Sequence, residues 1–153
     1  MIDIQKEIEK KFPNMNKKEN FLKKSLFKIA KKIVHEDSIN QFLAQNSHLK
    51  GFEFVDAVLD YFDFEYTGSS NDLQSIPTSG KVVIIASHPL GGLDALCLLR
   101  LIGQIRKDVK IIANDFLAGF EALNSLIITI DNYKQKQSKS DIKKIYEALK
   151  NEE

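Results

Sequence analysis

The sequence has one cysteine, Cys97, and it is set among leucines. A single thiol builds no disulfide framework, so nothing points to a small secreted scaffold. No stretch reaches the roughly 18 apolar residues of a membrane span. The opening "MIDIQKEIEK" is charged and lacks the apolar core of a signal peptide. There is no excess of either charge: the net value is +1, which gives no global case for nucleic-acid binding. Repeats and low-complexity tracts are missing as well. No G-x-S-x-G elbow, G-x-G-x-x-G loop or Walker pattern occurs. His35 and His48 lack the spacing of zinc ligands, so no metal and no bound cofactor is expected. What remains is 153 residues, 43% apolar and 28% charged, as in an ordinary globular domain. The expected compartment is the cytoplasm.

Lysine dominates residues 6–32. In "FLKKSLFKIAKKIV", Leu22, Leu26, Ile29 and Ile33 fall at helical spacing. Lys23, Lys24, Lys28, Lys31 and Lys32 fill much of the rest. This is a basic amphipathic helix, suited to docking on a core and to lying near an anionic membrane surface. Ser38 is expected to cap the next short helix. "FEFVDAVLDYF" then sets Phe54, Val55, Val58, Leu59 and Phe62 on one side of another helix. Residues 1–62 read as a helical segment preceding an α/β domain over residues 63–153.

In that second part "FEYTG" reads as a short strand and "SSNDLQSIPTSG" as loop. "KVVIIAS" is β-branched and apolar without alternation, the pattern of a strand buried on both faces. A helix over 94–105, a strand over 109–114, a strand over 126–130 and a closing helix capped by Ser140 follow. Ile142, Ile145, Tyr146 and Leu149 form the apolar stripe of that last helix. The alternation predicts an α/β fold with a mostly parallel sheet flanked by helices. In such sheets ligands bind beyond the carboxyl ends of the strands. His88 stands at one such end.

Between that strand and the next helix lies "SHPLGGLD". Pro89 stiffens the exit, and Gly91 and Gly92 let the backbone fold back. Asp94 can cap the helix, or it can face His88 across the loop. A carboxylate on one imidazole nitrogen fixes the tautomer and leaves the other nitrogen as a base. Such a histidine can deprotonate a hydroxyl attacking a carbonyl, typically a contribution of about 10²–10⁴-fold in rate. The helix N-terminus favours an anion beside it. Asn114 and Asp131 end the next two strands on the same rim and are candidates to line the cleft. Cys97 reads as core.

"VVIIASHPLGGLDALCLL" resembles the first motif of the glycerolipid and lysophospholipid acyltransferase superfamily. Its usual spacing has four residues between His and Asp; here there are five, 89–93. The form H-P-x-G-G-x-D is similar to a bacterial branch often labelled hemolysins. The resemblance extends over roughly residues 33–149, through "RKDVKIIANDFLAG" and "LIITIDNY". Ser87 stands where the family commonly has Asn. The resemblance implies acyl transfer from acyl-CoA or acyl carrier protein to a hydroxyl of a lysophospholipid or related lipid, at the inner face of the cell membrane. His88 would be the base, Asp94 its orienter, and Gly91 and Gly92 would shape the loop. The family continues into a Phe-Pro-Glu-Gly-like block that binds the acceptor's phosphate. The chain is therefore expected to be the first part of an acyltransferase domain, inactive by itself. Two rival readings are a lipid-binding fragment without catalysis and a hydrolase using the same His–Asp pair.

Overall fold

The computed structural model describes residues 3, 6, 9, 28, 31–32, 35–87, 89, 91–114, 119–130 and 138–150. The chain forms two compact units, Met1–His48 and Leu49–Glu153.

In the first unit, Lys28, Lys31 and Lys32 are helical, as the amphipathic pattern requires. Helix α1 spans Glu36–Gln45. Its N-cap is His35, in the left-handed region at φ 54°, with no side-chain cap. Ser38 lies inside the helix instead of capping it. Glu36 is buried and pairs with Lys31 at 3.1 Å. Phe42 supplies the buried apolar contact. Its carbonyl accepts both the backbone N–H and the side-chain amide of Asn46, which closes the helix end.

The second unit opens with a turn that only glycine adopts comfortably. Gly51 has φ 59°, and its N–H donates to the Ala122 carbonyl at 2.7 Å. Helix α2, Phe52–Tyr61, buries Phe54, Val55 and Leu59. Phe62, expected on the same face, is exposed. A short helix α3, Ser70–Gln74, interrupts the expected loop. Helix α4 spans Gly92–Gly103 and buries Cys97, Leu99 and Ile102. It packs on α2, and Arg100 reaches Asp56 at 2.9 Å and Asp60 at 3.3 Å across the contact.

Strands β1, Ile111–Asn114, and β2, Ile127–Ile130, pair in parallel with Ile111 opposite Ile127. The connection carries a 3₁₀ turn at Glu121–Leu123. Leu123, Leu126, Ala113 and Ile130 are buried, so the crossover is pinned from within. The unit is α/β, with parallel strands flanked by helices.

Two expected strands are absent from the described residues. Residues 64–68 are irregular, and Tyr66 accepts a hydrogen bond from Gln104 instead. Residues 81–87 join no ladder. Val83 is 70% exposed and Ile85 92% exposed, so this segment is not buried on either face. Helix α5, Lys139–Lys150, starts at Ser138 and not at Ser140. The Ser138 hydroxyl oxygen accepts the Asp141 N–H at 3.1 Å and its proton goes to the Asp141 carboxylate at 2.7 Å. Ile142, Tyr146 and Leu149 are exposed, so the expected stripe is only partly buried.

Candidate active site

Gly91 carries the turn into α4 at φ 72° and ψ −121°, a conformation disfavoured for residues with a Cβ. Among the described residues, no atom beyond the chain neighbours and the helix's own backbone lies within 4 Å of where a side chain would stand at Gly91 or Gly92. Asp94 follows in the first turn of α4, where the N–H groups and the helix dipole favour negative charge.

The loop opens onto a cavity of about 1420 Å³. Gly91, Gly92, Asp94 and Ser87 line one part, and Ile84, Leu98, Ile112 and Leu149 give it apolar walls. Lys81, Arg106, Lys107 and Lys110 bring positive charge to the lining. Cys97 also lines it, one helical turn beyond Asp94. Burial pushes the Cys97 thiol above its ordinary pKa; the Asp94 charge adds to that and Arg100 opposes it.

The structure thus brings together Gly91, Gly92 and Asp94 of the candidate set. His88 and Asp131 lie outside the described residues, as do Lys23 and Lys24. Asn114 ends β1, as expected. Lys28 and Lys32 are exposed, whereas Lys31 is engaged by Glu36 and by Asp3 at 3.7 Å. That pairing holds the Lys31 ammonium above its ordinary pKa, first through the hydrogen bond to Glu36. Among the described residues, no three His, Cys, Asp or Glu side chains converge to hold a metal ion. No described helix is long and apolar enough to cross a membrane.

The sequence reading missed Arg106. Within "RKDVK" it resembles any solvated charge, and its partners Pro77 and Gly80 are far away in the chain.

The family model described as "Acyltransferase" matches residues 7–153. The chain belongs to the acyltransferase family. Among its relatives, the lyso-glycine lipid O-acyltransferase of Bacteroides thetaiotaomicron is 32% identical over 149 residues. That match covers 97% of this chain and 52% of the relative. The lyso-glycine lipid O-acyltransferase of Phocaeicola vulgatus is 30% identical, over 97% of this chain and 51% of the relative. This acyltransferase-family chain therefore spans about half the length of the curated relatives it matches. No solved structure matches it. The family match takes in both the H-P-x-G-G-x-D loop and the parallel strands of the acyltransferase chain.

Proposed function

We propose that this chain carries the reaction site of an O-acyltransferase acting on a lyso-lipid. The observation that carries the reading is the Gly91–Asp94 turn. It sets a carboxylate in the first turn of α4, beside a cavity large enough for an acyl chain, six residues after His88 in sequence. The names of the two relatives support the transfer of acyl to oxygen.

In this mechanism Asp94 orients His88, and the free imidazole nitrogen takes the proton of the acceptor's hydroxyl. The hydroxyl oxygen attacks the thioester carbonyl of acyl-CoA or acyl carrier protein. Negative charge gathers on the carbonyl oxygen, and N–H groups at the start of α4 would stabilise it. The C–S bond then breaks, the C–O bond is complete, and the proton on His88 passes to the departing thiolate. Gly91 and Gly92 shape the loop, with Asn114 and Asp131 on the rim of the cleft. The acceptor is a lysophospholipid or a related lyso-lipid, with a lyso-glycine lipid included on the strength of the relatives. The enzyme works at the inner face of the cell membrane, held to anionic lipid by Lys23, Lys24, Lys28, Lys31 and Lys32.

The test is thiol release and ester formation by the intact protein, with acyl-CoA and acyl carrier protein as donors. A lysophospholipid and a lyso-glycine lipid serve as acceptors. His88→Ala is expected to abolish ester formation while the far-ultraviolet spectrum is kept. Ester formation near the wild-type rate in that variant overturns the mechanism. Release of free fatty acid without new ester assigns the pair to hydrolysis. Vesicle binding with no chemistry at all leaves a lipid-binding protein.

A further inference from the structure

Helix α5 is mounted on the parallel strands by its polar residues. Asp141 is buried; its carboxylate accepts the Ser138 hydroxyl at 2.7 Å and pairs with Lys144 at 3.4 Å. The Lys144 ammonium also donates to the Thr129 carbonyl of β2 at 3.0 Å. Ile145 and Ala148 are half-buried on the same side. The remaining apolar residues lie outside that contact. Ile142 is 59% exposed and Tyr146 is 63% exposed. Leu149, also exposed, continues their row at the edge of the cavity. The three are spaced as one stripe along the helix. A helix on a globular surface ordinarily turns such a stripe inward, so α5 is mounted the other way about.

The charge beside the stripe is positive. At about 100° per residue, Lys139, Lys143 and Lys150 form a second row that adjoins it. Within Lys139–Lys150 four lysines stand against two acids, Asp141 and Glu147. Asp141 is on the buried side, and Glu147 meets Lys143 at 3.5 Å in an exposed pair that is worth little. An exposed apolar stripe edged by lysines suits a helix lying in a membrane interface. The apolar side chains enter the acyl boundary, the lysine stems reach the headgroups, and tyrosine fits the boundary itself. We infer that α5 docks on an anionic membrane surface through Ile142, Tyr146 and Leu149, with Lys139, Lys143 and Lys150 on the lipid headgroups. A second copy of the chain fits less well, because a two-fold contact sets the same row of lysines against itself. Leu149 belongs to both the stripe and the cavity wall, so the apolar surface continues from the membrane face into the cavity. This contact is separate from the lysines of the first unit and does not depend on the His88–Asp94 pair.

Residues 1–153 contain no tryptophan, so Tyr146→Trp places a single reporter on the stripe of the full chain. The probes are vesicles of phosphatidylcholine alone, and of phosphatidylcholine and phosphatidylglycerol in equal parts. Before vesicles are added, the emission is expected to be that of a water-exposed indole. On the mixed vesicles it is expected to move to shorter wavelength, and to be quenched when the acyl chains are brominated. Ile142→Ser combined with Tyr146→Ser is expected to weaken sedimentation with the mixed vesicles at least about tenfold. Both side chains are exposed, so that variant should melt near the wild type. Lys139→Ala and Lys150→Ala should each weaken binding about fivefold. Binding to the mixed vesicles with no shift and no quenching overturns the inference, since another surface then holds the lipid. Equal binding to the two kinds of vesicle, or none to either, overturns it as well. So does emission already shifted before vesicles are added. A shift that grows with protein concentration then assigns the stripe to a second copy, and a constant one to the chain's own packing. A shift on the mixed vesicles from a protein that forms no ester refutes the catalytic reading and supports this one.

Discussion

Replacing Gly103 with alanine tests the contact between α2 and α4. A methyl group at Gly103 would stand 2.8 Å from Phe52 Cδ1 and 3.1 Å from Cζ, and closer still to Cε1. Real carbon atoms do not approach so closely, so the ring must turn or α2 must move. The ring is not free to swing without loss, because the Lys107 ammonium sits 4.5 Å from its centroid. Overpacking of this kind costs about 1–3 kcal/mol. Alanine recovers at most about 1 kcal/mol of helix propensity, and less at a helix's last residue. The balance is a loss of about 1–2 kcal/mol, or a Tm lower by roughly 2–8 °C for a protein of this size. Thermal and urea unfolding followed by circular dichroism measure it. The same change in a Phe52→Ala background should cost at least about 1 kcal/mol less, since the clash is gone. An unchanged or raised Tm, or equal cost in both backgrounds, would refute the argument.

Asp141 carries a pH dependence. The Ser138 hydroxyl, then Lys144, hold its carboxyl below the usual range. A depressed folded-state pKa gives stability that is present above the unfolded value of about 3.9 and is lost as pH falls through the folded one. Unfolding between pH 6 and pH 2 should show that loss, and Asp141→Asn should flatten it. On vesicles containing anionic lipid, Lys28→Ala and Lys32→Ala should each weaken binding about fivefold, near 1 kcal/mol per lysine. Lys31→Ala should weaken it less, because Glu36 and Asp3 already engage that ammonium. Equal effects in sedimentation assays would count against the paired state of Lys31. Residues 1–153 produced alone leave Val83 and Ile85 exposed, so they should associate as concentration rises. Analytical ultracentrifugation showing a monomer throughout would contradict this.

Much of the second unit was legible because its signals are local. Gly91, Gly92 and the apolar spacing through Leu99 and Ile102 specify α4 and its start. The β-branched runs around Ile111–Asn114 and Ile127–Ile130 specify two parallel strands. The segment 81–87 shows where such reasoning stops. An apolar β-branched run says that the chain is extended, but burial depends on neighbours that the run itself does not encode. The start of α5 turned on spacing: both Ser138 and Ser140 suit a cap, and only Ser138 stands three residues before an acid. Arg106 was invisible for a different reason. Its partners Pro77 and Gly80 are 29 and 26 residues away, and they are bonded through carbonyls, which leave no trace in side-chain patterning. Within the site, the glycines and Asp94 were legible from their place before a helix, whereas the width of the cavity beside them was not.

The buried thiol of Cys97 has a use that packing alone does not suggest. It is the chain's one cysteine, and both its burial and the neighbouring Asp94 raise its pKa. Thiol reagents attack the thiolate, so that shift slows labelling of the native protein at neutral pH. The residue also lines the cavity, so a lipid seated there would slow labelling further. One reaction on one sulfur, read by mass with no probe added, thus reports in the unmodified sequence whether the cavity beside Asp94 is occupied.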